Sequence, residues 1–219
     1  MKRAKQSMFE FKARGGARKG AGRKLARARR SVPHRRRDTI SSRHPVHVTL
    51  RLEAGLESLR KRRTFTIVRD ALAAGSNRFG ARLVHYSVMT NHVHVVFEVE
   101  DDNALTAAVK GLCVRMARGL NRFWQRVGSV FADRYHVHVL KTPREVRHAL
   151  VYVLRNAAHH GIHCAGLDPF SSASWFDGWI EVANRALAFI ASPLPRARTW
   201  LLTRGWRKHG LIPIDASVR

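Results

Sequence analysis

The chain has 219 residues, 45% of them hydrophobic, which fits one ordinary domain with a real core plus tails. With 41 Lys and Arg against 15 Asp and Glu, the net charge is +26 and the pI is near 11.7, so strong and salt-sensitive binding to a polyanion is expected. No apolar run is long enough for a membrane span, the N-terminus lacks the apolar stretch of a secretory signal, and the two cysteines form no Cys-x-x-Cys pair. That usage argues against a zinc ribbon or a disulfide scaffold and fits a reducing cytosol, where a cytoplasmic, nucleoid-associated protein is expected.

Residues 1–44 hold 16 Lys and Arg against Glu10 and Asp38. Gly15 to Lys24 is glycine-spaced and basic, without the Gly-x-x-x-x-Gly-Lys-Ser/Thr order of a nucleotide loop. This arm cannot bury enough apolar surface to fold alone, and its Arg18, Lys19, Arg23 and Lys24 are expected to hold nucleic acid non-specifically. A folded domain is expected over 45–180, followed by a basic, aromatic tail over 181–219.

The domain opens on Val46 to Leu52, which alternates as a strand. Thr64 to Arg78 reads as a helix. Leu83 to Met89 and His92 to Val99 read as strands joined at Thr90-Asn91. Asn103 to Val127 reads as a long helix with an apolar stripe through Leu105, Val109, Leu112, Met116, Leu120 and Phe123, and a basic stripe of Arg115, Arg118, Arg122 and Arg126. Tyr135 to Leu140 is a fourth strand. Thr142-Pro143-Arg144-Glu145 then supplies an N-cap, a first-turn proline and a capping-box glutamate for a further helix. Val146, Ala149, Leu150, Val153 and Ala157 form its buried stripe, with Tyr152 and Asn156 on one flank.

The order β-α-β-β-α-β, then a helix, predicts an α+β, ferredoxin-like fold with a four-stranded antiparallel sheet. Alternation sends Val48, Leu50, Val84, Tyr86, Val93, Val95, Phe97, Val137 and Val139 toward two helices. His47, Thr49, Arg51, His85, Ser87, His92, His94, His136 and His138 then share the opposite face. His92 and His94 point the same way, about 7 Å apart, a spacing that suits two ligands of one metal ion. Tyr152 is a candidate nucleophile and Asn156 a candidate third ligand. Arg51, Arg115, Arg118 and Arg122 are candidate DNA contacts.

Other readings compete. Tyr135, beside His136 and His138, is a rival nucleophile, although that pair also reads as an exposed sheet edge. A histidine-triad hydrolase would need a histidine where Val96 stands. A two-histidine phosphoesterase needs two His-x-Thr motifs, and only His47-Val48-Thr49 fits. Trp200 and Trp206 among Arg198, Arg204, Arg207 and Lys208 suit either base stacking or packing of the tail.

His92-Val-His94 followed by a helical Tyr152 with Asn156 four residues on resembles the single-tyrosine HUH transposases. The stretch from Phe131 to Asn156 is similar to their REP-associated tyrosine transposase branch, and the resemblance covers roughly residues 44–180. It implies that His92, His94 and Asn156 bind Mg²⁺ or Mn²⁺. It also implies that Tyr152 attacks single-stranded, hairpin-containing DNA to leave a 5′-phosphotyrosine and a free 3′-OH, in a monomer or homodimer. Members of that branch commonly read Asn-Pro, whereas Asn156 is followed by Ala157-Ala158, which predicts a longer helix here. A non-catalytic or domesticated nucleic-acid-binding protein on the same fold is the alternative function.

Overall fold

The computed structural model describes residues 39–132, 134–162, 164, 166–183 and 192–216. Arg18, Lys19, Arg23 and Lys24 lie outside the described residues. The packed chain is already in place at Ile40, which is buried in the core and whose N–H donates to Asp102.

Five strands form one antiparallel sheet. They are β1 (Val46–Arg51), β2 (Asn77–Arg78), β3 (Ala81–Val88), β4 (His92–Val99) and β5 (His136–Val139), in the order β2-β3-β4-β1-β5. Helices α1 (Arg62–Gly75) and α2 (Asp102–Phe123) connect β1 to β2 and β4 to β5. Without the short β2, this is the expected ferredoxin-like plan. Leu72 of α1 and Leu105, Leu112, Met116 and Leu120 of α2 bury against Val48, Leu50, Val93, Val95 and Phe97. Each such side chain contributes roughly 1.5–3 kcal/mol on leaving water.

Two helix ends fall short of the sequence expectation. Helix α1 stops at Gly75 rather than Arg78, because Phe79 and Gly80 both take positive φ, 58° and 72°, and turn Asn77–Arg78 into a hairpin with β3. Consecutive left-handed residues are the tight-turn geometry that matches strand twist. Helix α2 stops at Phe123 rather than Val127, where Gln125 is left-handed at φ 50° and the Trp124 indole donates to Glu57.

Strand β3 also departs from simple alternation. A bulge inserts Val84 between the Leu83–Phe97 and His85–Val96 pairs. Leu83 and Tyr86 still face α1 and α2, but Val84 joins the core on the other side of the sheet. The expectation that Val84 faces those helices is therefore wrong by one bulge.

That second core packs under α3 (Pro143–Leu154). The helix begins as its sequence predicts. The Thr142 hydroxyl accepts from Glu145 N–H, Glu145 accepts from Thr142 N–H, and Pro143 opens the first turn. Val146, Leu150 and Val153 meet Val96 of β4, and Trp179, Leu201, Leu202, Trp206 and Ile212 of the C-terminal segment. Instead of lengthening past Asn156, the helix breaks at Arg155 (φ −110°, ψ 14°), and the short α4 (Asn156–His159) follows. A last short turn of α-helix, α5, spans Ile180–Ala183. Among the described residues, no helix is long and apolar enough to cross a membrane.

Candidate active site

The site lies on the sheet face that carries α3. Strand β4 begins at His92, so its first and third side chains project together, and the imidazole centroids stand 4.7 Å apart, edge to face. Neighbouring β1 places Thr49 opposite His94 and Arg51 opposite His92. Helix α3 brings Tyr152 over them. Its ring centroid is 5.2 Å from His94 and 5.8 Å from His47.

These residues border an open cleft of about 740 Å³, lined also by Met89, Thr90, Asn91, His136, His160 and Ile162. Among the described residues that line it, Arg51 alone carries a permanent charge and none is a carboxylate. Such a wall favours an anionic ligand.

The two β4 histidines are oriented from behind. His92 Nδ1 lies 2.9 Å from the Asn91 side-chain oxygen, which only accepts, so the proton belongs on Nδ1 and the lone pair on Nε2. His94 Nδ1 lies 3.0 Å from both Thr49 Oγ1 and His47 Nε2, either of which is a competent acceptor. His94 Nε2 is buried and has no hydrogen-bond partner among the described residues. With the proton on Nδ1, that bare nitrogen is an unused ligand atom, the arrangement in which a second hydrogen bond fixes a metal-binding tautomer.

Burial holds these rings neutral. It pushes His94 down to about 2, helped by the nearby His47, His92 and His160, and pushes His47 and His92 down to about 4. Unfolded histidines take protons near pH 6.5, and these do not until lower pH. The stability they contribute is therefore complete above about pH 6.5 and is lost as pH falls toward 4. His94 alone is expected to withdraw about 1 kcal/mol by pH 5.5. Urea unfolding midpoints at pH 7.5 and 5.5 check this, the lower midpoint being expected in acid.

Not every predicted residue meets in the cleft. Asn156 does not line it. The residue is fully buried, and neither atom of its amide is hydrogen-bonded among the described residues. The helix breaks at Arg155, between Tyr152 and Asn156. Arg118 and Arg122 are exposed, Arg115 is half-buried near the end of α1, and all three ride α2 on the other side of the sheet. One straight strand cannot lie on both the cleft and that stripe. Tyr135 also packs on the α2 side, with its hydroxyl 3.4 Å from Thr106, away from the cleft.

Two residues in the cluster carry no assignment from the sequence. His160 stands 5.5 Å from His92, and His159 stands 5.5 Å from Tyr152, centroid to centroid. Their signal was present as spacing, since His159 follows Tyr152 by two helical turns and His160 follows Asn156 by one. Among the described residues, no three His, Cys, Asp or Glu side chains gather as a metal site.

Comparison with solved structures returns the same fold. The structure of a REP-associated tyrosine transposase bound to a REP hairpin aligns with a TM-score of 0.53 at 16% identity, covering 64% of this chain and 82% of that one. A transposase-like protein of Deinococcus radiodurans R1 aligns at 16% identity with a TM-score of 0.37, covering 62% of this chain and 100% of that one. A search of the curated proteins finds no match. The family model described as "Transposase IS200 like" matches residues 41–155, from the turn before β1 through Tyr152 to the helix break. The chain belongs to the IS200-like transposase family.

Proposed function

We propose that this transposase nicks single-stranded DNA and transfers strands through a covalent link to Tyr152, with a divalent ion at His92 and His94. The observation that carries the reading is the placement of Tyr152, ring to ring 5.2 Å from His94, in a cleft whose described lining has one arginine and no carboxylate. The residues fit an ion. His92 Nε2 and His94 Nε2 are the atoms left for it, and Asn156 is a buried amide without a partner. Two imidazoles, completed by phosphate or water oxygens, suit Mg²⁺ or Mn²⁺, and Asn156, which does not line the cleft, would have to turn toward it to add its amide oxygen. The bound ion would supply Lewis-acid stabilisation at the scissile phosphate.

The protein's own groups do the rest. Arg51 attracts the phosphodiester and reduces its charge as it enters the cleft. The Tyr152 oxygen forms a bond to phosphorus while the bond from phosphorus to the 3′ oxygen breaks. The phenol proton passes to water or to a neutral imidazole, and the departing 3′ oxygen takes up a proton. The 5′-phosphotyrosine keeps the bond energy, so a 3′-OH can attack it in reverse and release Tyr152 without ATP. A hairpin beside the cut is the expected recognition element, because the solved REP-associated transposase is bound to one.

Two outcomes follow. Since His92 and His94 are already neutral in mild acid, Mn²⁺ affinity should stay flat from pH 8 to about 5, whereas ordinary histidines would weaken it below about 6.5. Calorimetric titration across that range checks it, and a steep loss between pH 7 and 6 would remove the buried pair as ligands. Deleting residues 1–38, which stops short of the buried Ile40, should weaken binding to DNA of any sequence. It should also flatten the slope of log affinity on log salt by about 0.7 for each single-strand phosphate that the arm no longer neutralises. Titrations on target and scrambled hairpins at several salt concentrations check both. Loss of preference between the hairpins would instead show that the arm reads bases.

The experiment that tests the function is a denaturing gel of protein incubated with labelled single-stranded hairpin DNA and Mn²⁺. A slower, protein-linked band is expected. Binding without any such band would leave a nucleic-acid-binding protein with no strand chemistry.

A further inference from the structure

Three tryptophans in the C-terminal segment have different surroundings. Trp179 and Trp206 are 0% and 1% exposed, and packing accounts for them, but Trp200 is 50% exposed. Its ring lies against Gly205, where an added Cβ would come within 2.7 Å of it, so the bare glycine backbone is part of its seat. The chain just before it is pinned. Glu98 at the end of β4, itself buried and paired with Arg82 at 3.0 Å, accepts the N–H groups of Arg198 (2.8 Å) and Thr199 (2.6 Å). An exposed indole on an anchored stretch of chain is held out at little entropic cost.

Its surroundings are basic. Residues 192–210 contain no Asp or Glu. Arg196, Arg198, Arg204 and Lys208 are exposed and make no ion pair among the described residues, while Arg207 is engaged by Asp177 at 2.8 Å. The Lys208 ammonium lies over the Trp200 ring, 5.1 Å from its centroid, so a base that stacks there displaces it toward the neighbouring phosphate. The segment packs on α3, so it lies on the cleft's side of the sheet. Glu98 follows His92 by six residues of strand, about 20 Å, roughly the length of six stacked nucleotides.

We propose that Trp200, with Arg198, Arg204 and Lys208, is a stacking platform for an unpaired base of the DNA strand that runs out of the cleft. The proposal rests on the reading of the cleft as a single-strand DNA site. Single-strand surfaces combine aromatic faces with backbone-tracking cations, and one stacked base contributes roughly 1–3 kcal/mol to affinity.

The test compares two single-stranded oligonucleotides, one that fills only the cleft and one extended by eight nucleotides carrying 2-aminopurine. Trp200→Ala should weaken the long oligonucleotide by roughly 5- to 150-fold and leave the short one unchanged. Trp200→Phe should keep most of the affinity. The 2-aminopurine signal should be quenched by the wild-type chain and not by Trp200→Ala. Arg204→Glu with Lys208→Glu should weaken the long oligonucleotide and flatten its salt dependence, and it covers the case in which Trp200→Ala loosens the segment. A fully paired extension should bind wild type, Trp200→Ala and Trp200→Phe alike, because its bases are not free to stack. Equal binding of the long oligonucleotide by wild type, Trp200→Ala and the double charge reversal would overturn the proposal. A missing covalent adduct with these differences intact would instead count against the strand chemistry and leave the platform standing.

Discussion

Replacing Tyr152 with phenylalanine is expected to lower covalent adduct formation by more than about a thousandfold while leaving DNA affinity within about twofold. The ring packs edge-on against His94 and His47, and phenylalanine keeps that packing, so the cleft wall and α3 stay in place. What disappears is the oxygen, and with it the only atom proposed to bond phosphorus. Gel assays on Tyr152→Phe and Tyr135→Phe separate the candidates. The second variant should retain the adduct, because Tyr135 packs beside α2, on the face away from the cleft. An undiminished adduct in Tyr152→Phe would move the nucleophile elsewhere.

The largest stability effect is expected at Trp206→Ala. Trp206 is fully buried, its ring lies 5.4 Å from Phe176, and its indole N–H donates to the Leu202 carbonyl at 3.0 Å. Gly178 lets both aromatic rings approach, since a Cβ there would collide with each. Truncating a buried tryptophan costs about 3–5 kcal/mol, a large share of the 5–15 kcal/mol typical of a whole domain. The loss falls on the core beneath α3, which Trp206 shares with Val146, Leu150 and Val153. A drop in Tm of about 10 °C is expected, with loss of adduct formation as Tyr152 loses its support. Thermal melts and gel assays on Trp206→Ala and the milder Trp206→Phe check the order. A Trp206→Ala protein that melts like wild type would show that the C-terminal segment does not hold α3.

Much of this was legible in the sequence for identifiable reasons. Strand β4 begins and ends where alternation puts it, and the capping box placed the start of α3. Those signals are local, carried by a few adjacent residues. The errors came from features that local periodicity does not encode. A bulge at Val84 keeps the strand apolar while changing which face it feeds. The left-handed Phe79 and Gln125 end α1 and α2 early, at residues that do not advertise positive φ. The break at Arg155 follows no glycine or proline, so the sequence reads as one continuous helix through Asn156. The C-terminal segment resisted reading because it packs through short turns and isolated tryptophans, whose partners on α3 are distant in sequence.

The site followed the same division. His92, His94 and Tyr152 converge as strand alternation and helix phase predict. The groups that orient them, Asn91, Thr49 and His47, acquire meaning only from strand register. Asn156 shows the limit of spacing. Four residues from Tyr152 on an unbroken helix would put the two side chains on one face, and the break leaves its amide buried outside the cleft lining.

The most direct measurement is mass-spectrometric mapping of the covalent product formed by wild-type protein on a single-stranded hairpin substrate with Mn²⁺. The expected product is one nucleotide-modified peptide, with the 5′-phosphate on Tyr152 and a free 3′-OH on the released strand, absent when His94 is replaced by alanine. A modification on Tyr135, or cleavage that leaves no protein-bound phosphate, would contradict the account.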